Sequence, residues 1–172
     1  MRSIWAKSVC FLKKFRTPRT GLEGYVMDTY FDLGGYSFPV TTQSTESQTW
    51  FDRGILWTYG YNHEEAVRCF ERAIGADPKC AMAHWGAGYA AGPNYNMPWD
   101  LFDHAGRAAA ARAGYAHARK ALDLIDGVTR WEAALIHALP ARHPQPDPLN
   151  PEAMKAWNAD FADAMRDVFA AH

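Results

Sequence analysis

Histidine is the residue of this sequence best suited to metal binding, yet its spacing matches no local metal motif. No two histidines stand four residues apart, the spacing that places two imidazoles on one helical face around zinc. His63 and Glu64 begin like the HExxH motif, but Val67 stands where the second histidine belongs. We therefore predict no metal and no cofactor, with a zinc site assembled from distant residues as an open alternative. The histidines are His63, His84, His104, His117, His137, His143 and His172.

Motifs for enzymatic chemistry are also missing. The sequence contains no phosphate-binding loop signature and no GxSxG nucleophile elbow, and residues 86–88 (GAG) fall inside a predicted helix rather than after a strand. Cys10, Cys69 and Cys80 are odd in number and far apart, so we expect free thiols in a reducing compartment and a cytoplasmic protein. No catalytic residue is assigned.

The charge of the chain is divided unevenly. The formal net charge is −1 over 172 residues, but residues 1–26 carry six Lys or Arg and one Glu. Residues 27–172 therefore carry a net negative charge, which excludes a generally basic nucleic-acid binder. No apolar run is long enough to span a bilayer. We predict that residues 1–26 form a separate basic extension, disordered or weakly helical. Three alternatives stay open for this extension: a mitochondrial-type presequence, a helix that lies on a membrane surface, or a protein whose true start is Met27.

From Thr45 onward the apolar pattern is helical. Ser44 or Thr45 is the expected N-cap of a first helix, Asn62 that of a second, and Asp77 with Pro78 that of a third. The first two helices each carry a stripe at i, i+4 and i+7, in which small residues let the helices approach and aromatic residues fill the remaining space. The stripes are Trp50, Gly54 and Trp57, then Ala66, Phe70 and Ala73.

Together with Pro78, these stripe residues fall in register with a repeat of 34 residues. In type or size they match the tetratricopeptide repeat signature, with Trp57 where tyrosine is usual. The sequence therefore resembles the tetratricopeptide repeat family, and residues 27–172 are similar to the N-terminal part of large microbial proteins of that family with no established activity. The resemblance implies an all-α fold, an α-solenoid of antiparallel helix pairs, and a chain that continues beyond residue 172.

A second repeat is predicted over residues 79–125, after a first over residues 47–78. Its second helix comes about thirteen residues later than the repeat expects, so residues 92–104 are a long insertion. Such insertions map to loops on one face of a solenoid and often carry binding. The match rests on Met82, Trp85, Gly86 and Tyr89, then on Ala111, Tyr115 and Ala118.

Two further helices complete the predicted helical domain, which covers residues 45–172. One spans 129–139 and is expected to end at Pro140, and the other spans 151–171 after a Pro-rich connector. The last helix has no stop signal and no polar cap. Because solenoid ends need such a cap, we expect either a longer repeat protein or self-association through this end.

A polar and aromatic cluster is predicted at one rim of the domain. In an antiparallel pair that turns at residues 77 and 78, His63 faces Gly92, which brings the start of the second helix beside the inserted loop. The functional hypothesis is a ligand or metal pocket. The alternative is that Asn62 caps a helix and the amides satisfy loop backbone groups. The cluster comprises Tyr61, Asn62, His63, Asn94, Tyr95, Asn96 and Trp99.

The resemblance also implies a concave peptide-binding face formed by the first helix of each repeat. The Lys and Asn positions that some family members use to grip a carboxylate end are Phe51, Ile55 and His84 here, which argues against a chaperone-adaptor role. An apolar face of this kind suits a peptide held by side-chain burial. The predicted contact residues are Gln48, Phe51, Ile55, Thr58, Tyr59, Cys80, Ala83, His84, Ala87 and Ala90.

The aromatic lead-in segment, residues 27–44, offers an equally weighted alternative, because it could fill the concave face itself. Taken together, the sequence predicts a non-catalytic interaction or scaffold module with a protein or peptide partner, bound through the concave face or residues 92–104. The alternative is a metal-binding or small-molecule-binding protein, or an enzyme, with its site at the rim around Asn62, His63, Asn94 and Asn96.

Overall fold

A computed structural model describes residues 30–148 and 150–172, and Leu33–His172 form one compact unit. Its regular elements are helices, and the described residues contain no β-strand, so the all-α prediction is confirmed. One turn of 3₁₀ helix, Trp99–Leu101, precedes the fourth helix. The predictions for residues 1–26 and Met27 lie outside the described residues. The helices are α1 Thr45–Tyr59, α2 His63–Ala76, α3 Ala81–Ala91, α4 His104–Asp123, α5 Arg130–Arg142 and α6 Pro151–Ala171.

Side-chain caps fix where most of the helices begin. The Ser44 hydroxyl accepts from the Ser47 amide at 3.1 Å, and Asn62 Oδ1 accepts from the Glu65 amide at 3.2 Å. The prediction that Asp77 caps the third helix is wrong. Asp77 is the C-cap of α2 instead, because its carboxylate is engaged by the Lys79 amide at 3.0 Å, and α3 starts only after Cys80.

Helix α3 is the central element of the unit. Its residues from Ala81 to Gly88 are all buried, because α1, α2, α4 and α5 pack around it. Two glycines allow this close approach to Phe70 of α2. A Cβ atom on Gly54 of α1 would lie 2.5 Å from the Phe70 ring, and one on Gly86 of α3 would lie 2.4 Å from it.

The fifth helix does not end at Pro140 as predicted. Proline removes one backbone donor but permits a helix to finish within the next residues, and α5 continues to Arg142. The backbone amide of His143 then closes the end by donating to the Pro140 carbonyl at 3.1 Å. This short extension matters because it carries Arg142 to the rim of the unit.

Residues 38–41 of the lead-in segment cross α1 and the start of α5. The Phe38 amide donates to Asp52 at 2.9 Å, and the Val40 amide donates to Gln48 at 2.9 Å. Farther along, the backbone amide and hydroxyl of Thr41 both donate to the carboxylate of Glu132 at 2.6 Å. The segment is therefore held to two helices that are distant in sequence.

Candidate functional site

A cavity of about 440 Å³ opens at the rim where α1 ends, α2 begins and α5 ends. The inserted loop forms one wall, and α6 contributes one asparagine. Aromatic and amide side chains dominate the lining, with a single arginine among them. The lining residues are Thr58, Tyr59, Tyr61, His63, Tyr89, Pro93, Asn94, Tyr95, Pro98, Arg142 and Asn158.

Four residues of the predicted rim cluster meet at this cavity: Tyr61, His63, Asn94 and Tyr95. Two others serve local structure, because Asn62 caps α2 and the Asn96 backbone amide donates to the Asn94 side chain at 2.9 Å.

Trp99 does not join the rim cluster as predicted. Its side chain is 1% exposed and packs in a second apolar core with Met154 and Trp157. The physical reason is that the 3₁₀ turn aims this side chain inward, where burial of a large indole is favourable.

The turn between α1 and α2 presents Tyr61 in an uncommon backbone conformation. Its φ is +61°, in the left-handed region that non-glycine residues occupy at a cost of about 1 kcal/mol. Backbone bonds hold it there: the Gly60 amide donates to Leu56 at 2.8 Å and the Asn62 amide to Trp57 at 2.9 Å. The turn thereby fixes one wall of the cavity.

Arg142 is the residue that gives the cavity its charge. One Nη donates to the Pro93 carbonyl, and the guanidinium carbon lies 4.8 Å from the ring centroid of Tyr89 and 5.1 Å from that of Phe161. Its Nε is buried and has no hydrogen-bond partner among the described residues. Burial lowers the pKa of Arg142, although a guanidinium stays protonated in proteins.

No carboxylate in the described part of the chain forms an ion pair with Arg142. The Arg142 side chain fits against Gly92 because glycine has no Cβ atom; a Cβ atom there would lie 2.7 Å from the Arg142 Nε. His63 adds a neutral imidazole nearby. Burial lowers the pKa of His63, the Arg142 charge lowers it further, and a hydrogen bond with the Tyr61 backbone opposes both.

A second, more apolar cavity of about 240 Å³ adjoins the first. Tyr59 and Tyr89 line both cavities. The indole of Trp85 already donates to the Leu135 carbonyl at 3.1 Å, so this wall presents no unsatisfied indole donor. The lining residues are Tyr36, Phe38, Ile55, Tyr59, Trp85, Tyr89, Leu135, Phe161 and Met165.

The predicted concave-face residues are mostly occupied by contacts within the chain. The Phe38 ring packs on Phe51 with centroids 6.4 Å apart, and Gln48 is bonded to the lead-in segment. Tyr59 is 74% exposed. Whether this face binds a peptide stays a prediction. The buried members are Phe51, Ile55, Thr58, Cys80, Ala83, His84, Ala87 and Ala90.

The remaining titratable groups do not form a metal centre. His84 and His117 place their Nδ1 atoms 3.2 Å apart between α3 and α4, and burial lowers both pKa values, that of His84 to about 4. Across residues 30–148 and 150–172, no three His, Cys, Asp or Glu side chains converge in a metal-binding arrangement. Among those same residues, none of the helices combines the length and apolar character that crossing a bilayer requires.

Comparisons with known proteins assign neither a family nor a function to this chain. No family model, curated protein or solved structure matches this chain. The fold and cavity thus define an all-helical protein with a charged, aromatic-lined pocket.

Outside the predicted loop of residues 92–104, sequence reasoning missed three lining residues: Tyr89, Arg142 and Asn158. No sequence signal could have found Arg142, because proline is expected to end or kink a helix, whereas α5 continues through Pro140 to Arg142.

Proposed function

We propose that this chain is a non-catalytic, tetratricopeptide-like binding module that recognises an anionic group in the cavity at Arg142. The observation that carries this proposal is a largely buried cation that faces a cavity without a carboxylate partner in the described residues. A buried charge is costly unless it is paired. A carboxylate or similar anion in the cavity would supply the partner through charge-assisted hydrogen bonds.

The helical packing supports the tetratricopeptide-like part of the proposal. The signature positions include Gly54 on α1, Phe70 on α2 and Gly86 on α3. The two glycines are where α1 and α3 pack closely against the Phe70 ring. The inserted loop then has the role expected of an insertion on one face of a solenoid, because Pro93, Asn94 and Tyr95 form a wall of the cavity.

The chemistry of the lining favours recognition over catalysis. Among the described residues that line the cavity there is no Ser, Cys, Asp, Glu or Lys side chain that could act as a nucleophile or carboxylate base. Its one aliphatic hydroxyl, on Thr58, already donates to the Gly54 carbonyl at 2.7 Å. The phenol and amide groups are hydrogen-bonding partners that orient a polar ligand without reacting with it.

The proposal is tested by following the Arg142 Nε–H resonance in ¹H–¹⁵N spectra of the full chain during titration with sodium acetate, at ionic strength held constant with sodium chloride. We expect a saturable shift of this resonance. In the variants, acetate binding is followed through the backbone amide resonances of the lining residues Asn94 and Tyr95. Arg142→Gln should lose acetate binding, and Arg142→Lys should weaken it because the planar fork is lost. Arg119→Gln is the matched control, since Arg119 also lies over a tyrosine, Tyr115 at 5.2 Å, but outside the cavity.

Two results would overturn this function. One is an Arg142 Nε–H resonance that does not move with acetate. The other is equal acetate binding by the wild-type chain and a folded Arg142→Gln variant, with folding checked by far-UV circular dichroism.

The predicted peptide partner remains the second candidate, favoured by the way the lead-in segment lies on α1. Its backbone at Phe38 and Val40 bonds to Asp52 and Gln48, as an extended peptide would. A labelled peptide of residues 33–44 should bind a Phe38→Ala chain, in which the segment is loosened, more tightly than wild type. Equal or absent binding would contradict this role.

A further inference from the structure

The two cavities are neighbours, one with Arg142 in its lining and the other mostly apolar. Tyr59 and Tyr89 are shared walls. The Arg142 guanidinium contacts the rings of Tyr89 and Phe161, and both of these rings also line the apolar cavity. Arg142 is therefore next to the apolar cavity, and we expect a ligand whose anionic group meets Arg142 to place its remaining atoms there.

The apolar cavity is suited to a hydrocarbon chain. Ile55, Leu135 and Met165 supply aliphatic surface, and aromatic rings supply most of the rest. The indole donor of Trp85 is already satisfied by the Leu135 carbonyl. Burial of methylene groups against such walls is favourable by about 0.8 kcal/mol each, which is about a fourfold change in affinity per methylene.

The charge of the site favours a single negative charge on the ligand. Among the described residues, Arg142 is the one Lys or Arg that lines either cavity. Burial lowers the pKa of His63, the lining histidine, and so disfavours a second positive charge. One guanidinium matches one carboxylate in charge and in planar geometry, whereas a phosphate dianion would keep an unmatched charge.

From this arrangement we infer that the ligand is a small amphipathic monocarboxylate, with its carboxylate on Arg142 and its aliphatic chain in the cavity between Tyr59, Leu135 and Met165. This inference rests on the proposed function, since it names the ligand class of the same site. The carboxylate chemistry could also come from the C-terminal end of a peptide, and the experiment includes an arm for that source.

The test is isothermal titration of the full chain with butanoate, hexanoate, octanoate and decanoate, each below its critical micelle concentration. We expect affinity to rise about fourfold per added methylene until the cavity is filled. Octanol, which lacks the charge, should bind at least tenfold more weakly than octanoate, and Arg142→Gln should remove that difference.

A variant in the apolar cavity separates this inference from the proposed function. Met165→Gln is close to isosteric on the partly exposed face of α6, so it should flatten the chain-length series while the acetate shift of Arg142 persists. Met97→Gln is the matched control, because Met97 is partly exposed and lines neither cavity.

The possible failures are distinguishable. A flat chain-length series with an intact acetate shift would overturn the amphipathic ligand and leave the anion site standing, whereas no carboxylate effect on Arg142 would overturn both. Tighter binding of octyl phosphate than of octanoate would contradict the single charge. Tighter binding of a tetrapeptide ending in leucine would transfer the site to a peptide terminus and contradict the small-molecule assignment.

Discussion

Replacing Gly54 by alanine tests whether contact with Phe70 sets the distance between the first helices. The added Cβ atom would lie 2.5 Å from Phe70 Cε1, whereas ordinary contacts of this kind lie at 3.4–4 Å. The ring would have to move by about 1 Å, and it is fully buried with Gly86 of α3 equally close. Overpacking of this kind costs about 1–3 kcal/mol, against a gain of about 1 kcal/mol in helix propensity.

Gly75 provides the matched control for this substitution. It also lies within a helix, and a Cβ atom there would contact nothing within 4 Å. Gly75→Ala should therefore raise the free energy of unfolding by about 0.5–1 kcal/mol. Because both substitutions gain similar propensity, the difference between them isolates the packing cost, and we expect Gly54→Ala to be less stable than Gly75→Ala by about 1–3 kcal/mol.

The assay is urea unfolding followed by far-UV circular dichroism, with the slope compared between variants to confirm that the midpoint reports stability. In a Phe70→Leu background the smaller side chain should remove most of the Gly54→Ala penalty, which gives a measurable coupling energy. If Gly54→Ala stabilised the chain as much as Gly75→Ala does, the argument that the glycine is required for close packing would be refuted.

Three further predictions concern stability, pH and binding. Glu132→Ala should lower the free energy of unfolding by about 3 kcal/mol, because the buried Glu132 carboxylate accepts from Thr41 and from the α5 capping box and all of these bonds are lost. Urea unfolding measures this change. The free energy of unfolding should fall as the pH falls from 6.5 toward 4, because His84 takes up a proton in the unfolded chain over this range whereas its pKa in the folded chain is about 4. His84→Gln should reduce this dependence of the unfolding free energy on pH by up to about 1.4 kcal/mol per pH unit. Gly92→Ala should weaken acetate binding by displacing Arg142, as read from the Nε–H titration.

Each of these three has a control on the same chain. Glu46→Ala removes an exposed carboxylate and should change stability by less than about 0.5 kcal/mol. His104→Gln removes an exposed imidazole and is the control for His84→Gln. Gly35→Ala adds a Cβ atom with no contact within 4 Å and should leave acetate affinity unchanged. A variant that behaves like its control contradicts the corresponding prediction.

Helix positions could be predicted from the sequence because periodicity and capping are local properties. The caps at Ser44 and Asn62 follow from side chains that satisfy amides two or three residues away. The prediction for Asp77 was wrong because Asp77 ends α2 through its own backbone amide, which donates to the Ala73 carbonyl at 2.9 Å. Its carboxylate also accepts from the Thr42 hydroxyl at 2.5 Å, a contact across 35 residues that local capping patterns do not reveal.

The candidate site was predictable only in part. Antiparallel pairing was enough to bring His63 near the inserted loop, where Asn94 and Tyr95 also lie. It could not place Trp99, because whether an indole in a loop faces solvent or core depends on helices α4 and α6. Arg142 was inaccessible for a similar reason, since its position depends on the space that Gly92 leaves on another helix.

The bonds between Thr41 and Glu132 have a consequence for how the chain folds. They join positions 91 residues apart, whereas in an ideal repeat array each unit contacts only its neighbours and can form or open independently. During synthesis Thr41 emerges before all six helices, but it cannot make these bonds until α5 has been made and supplies Glu132. Long-range closures of this kind slow folding. A contact at the N-terminal end of the helical unit therefore waits for the fifth of its six helices.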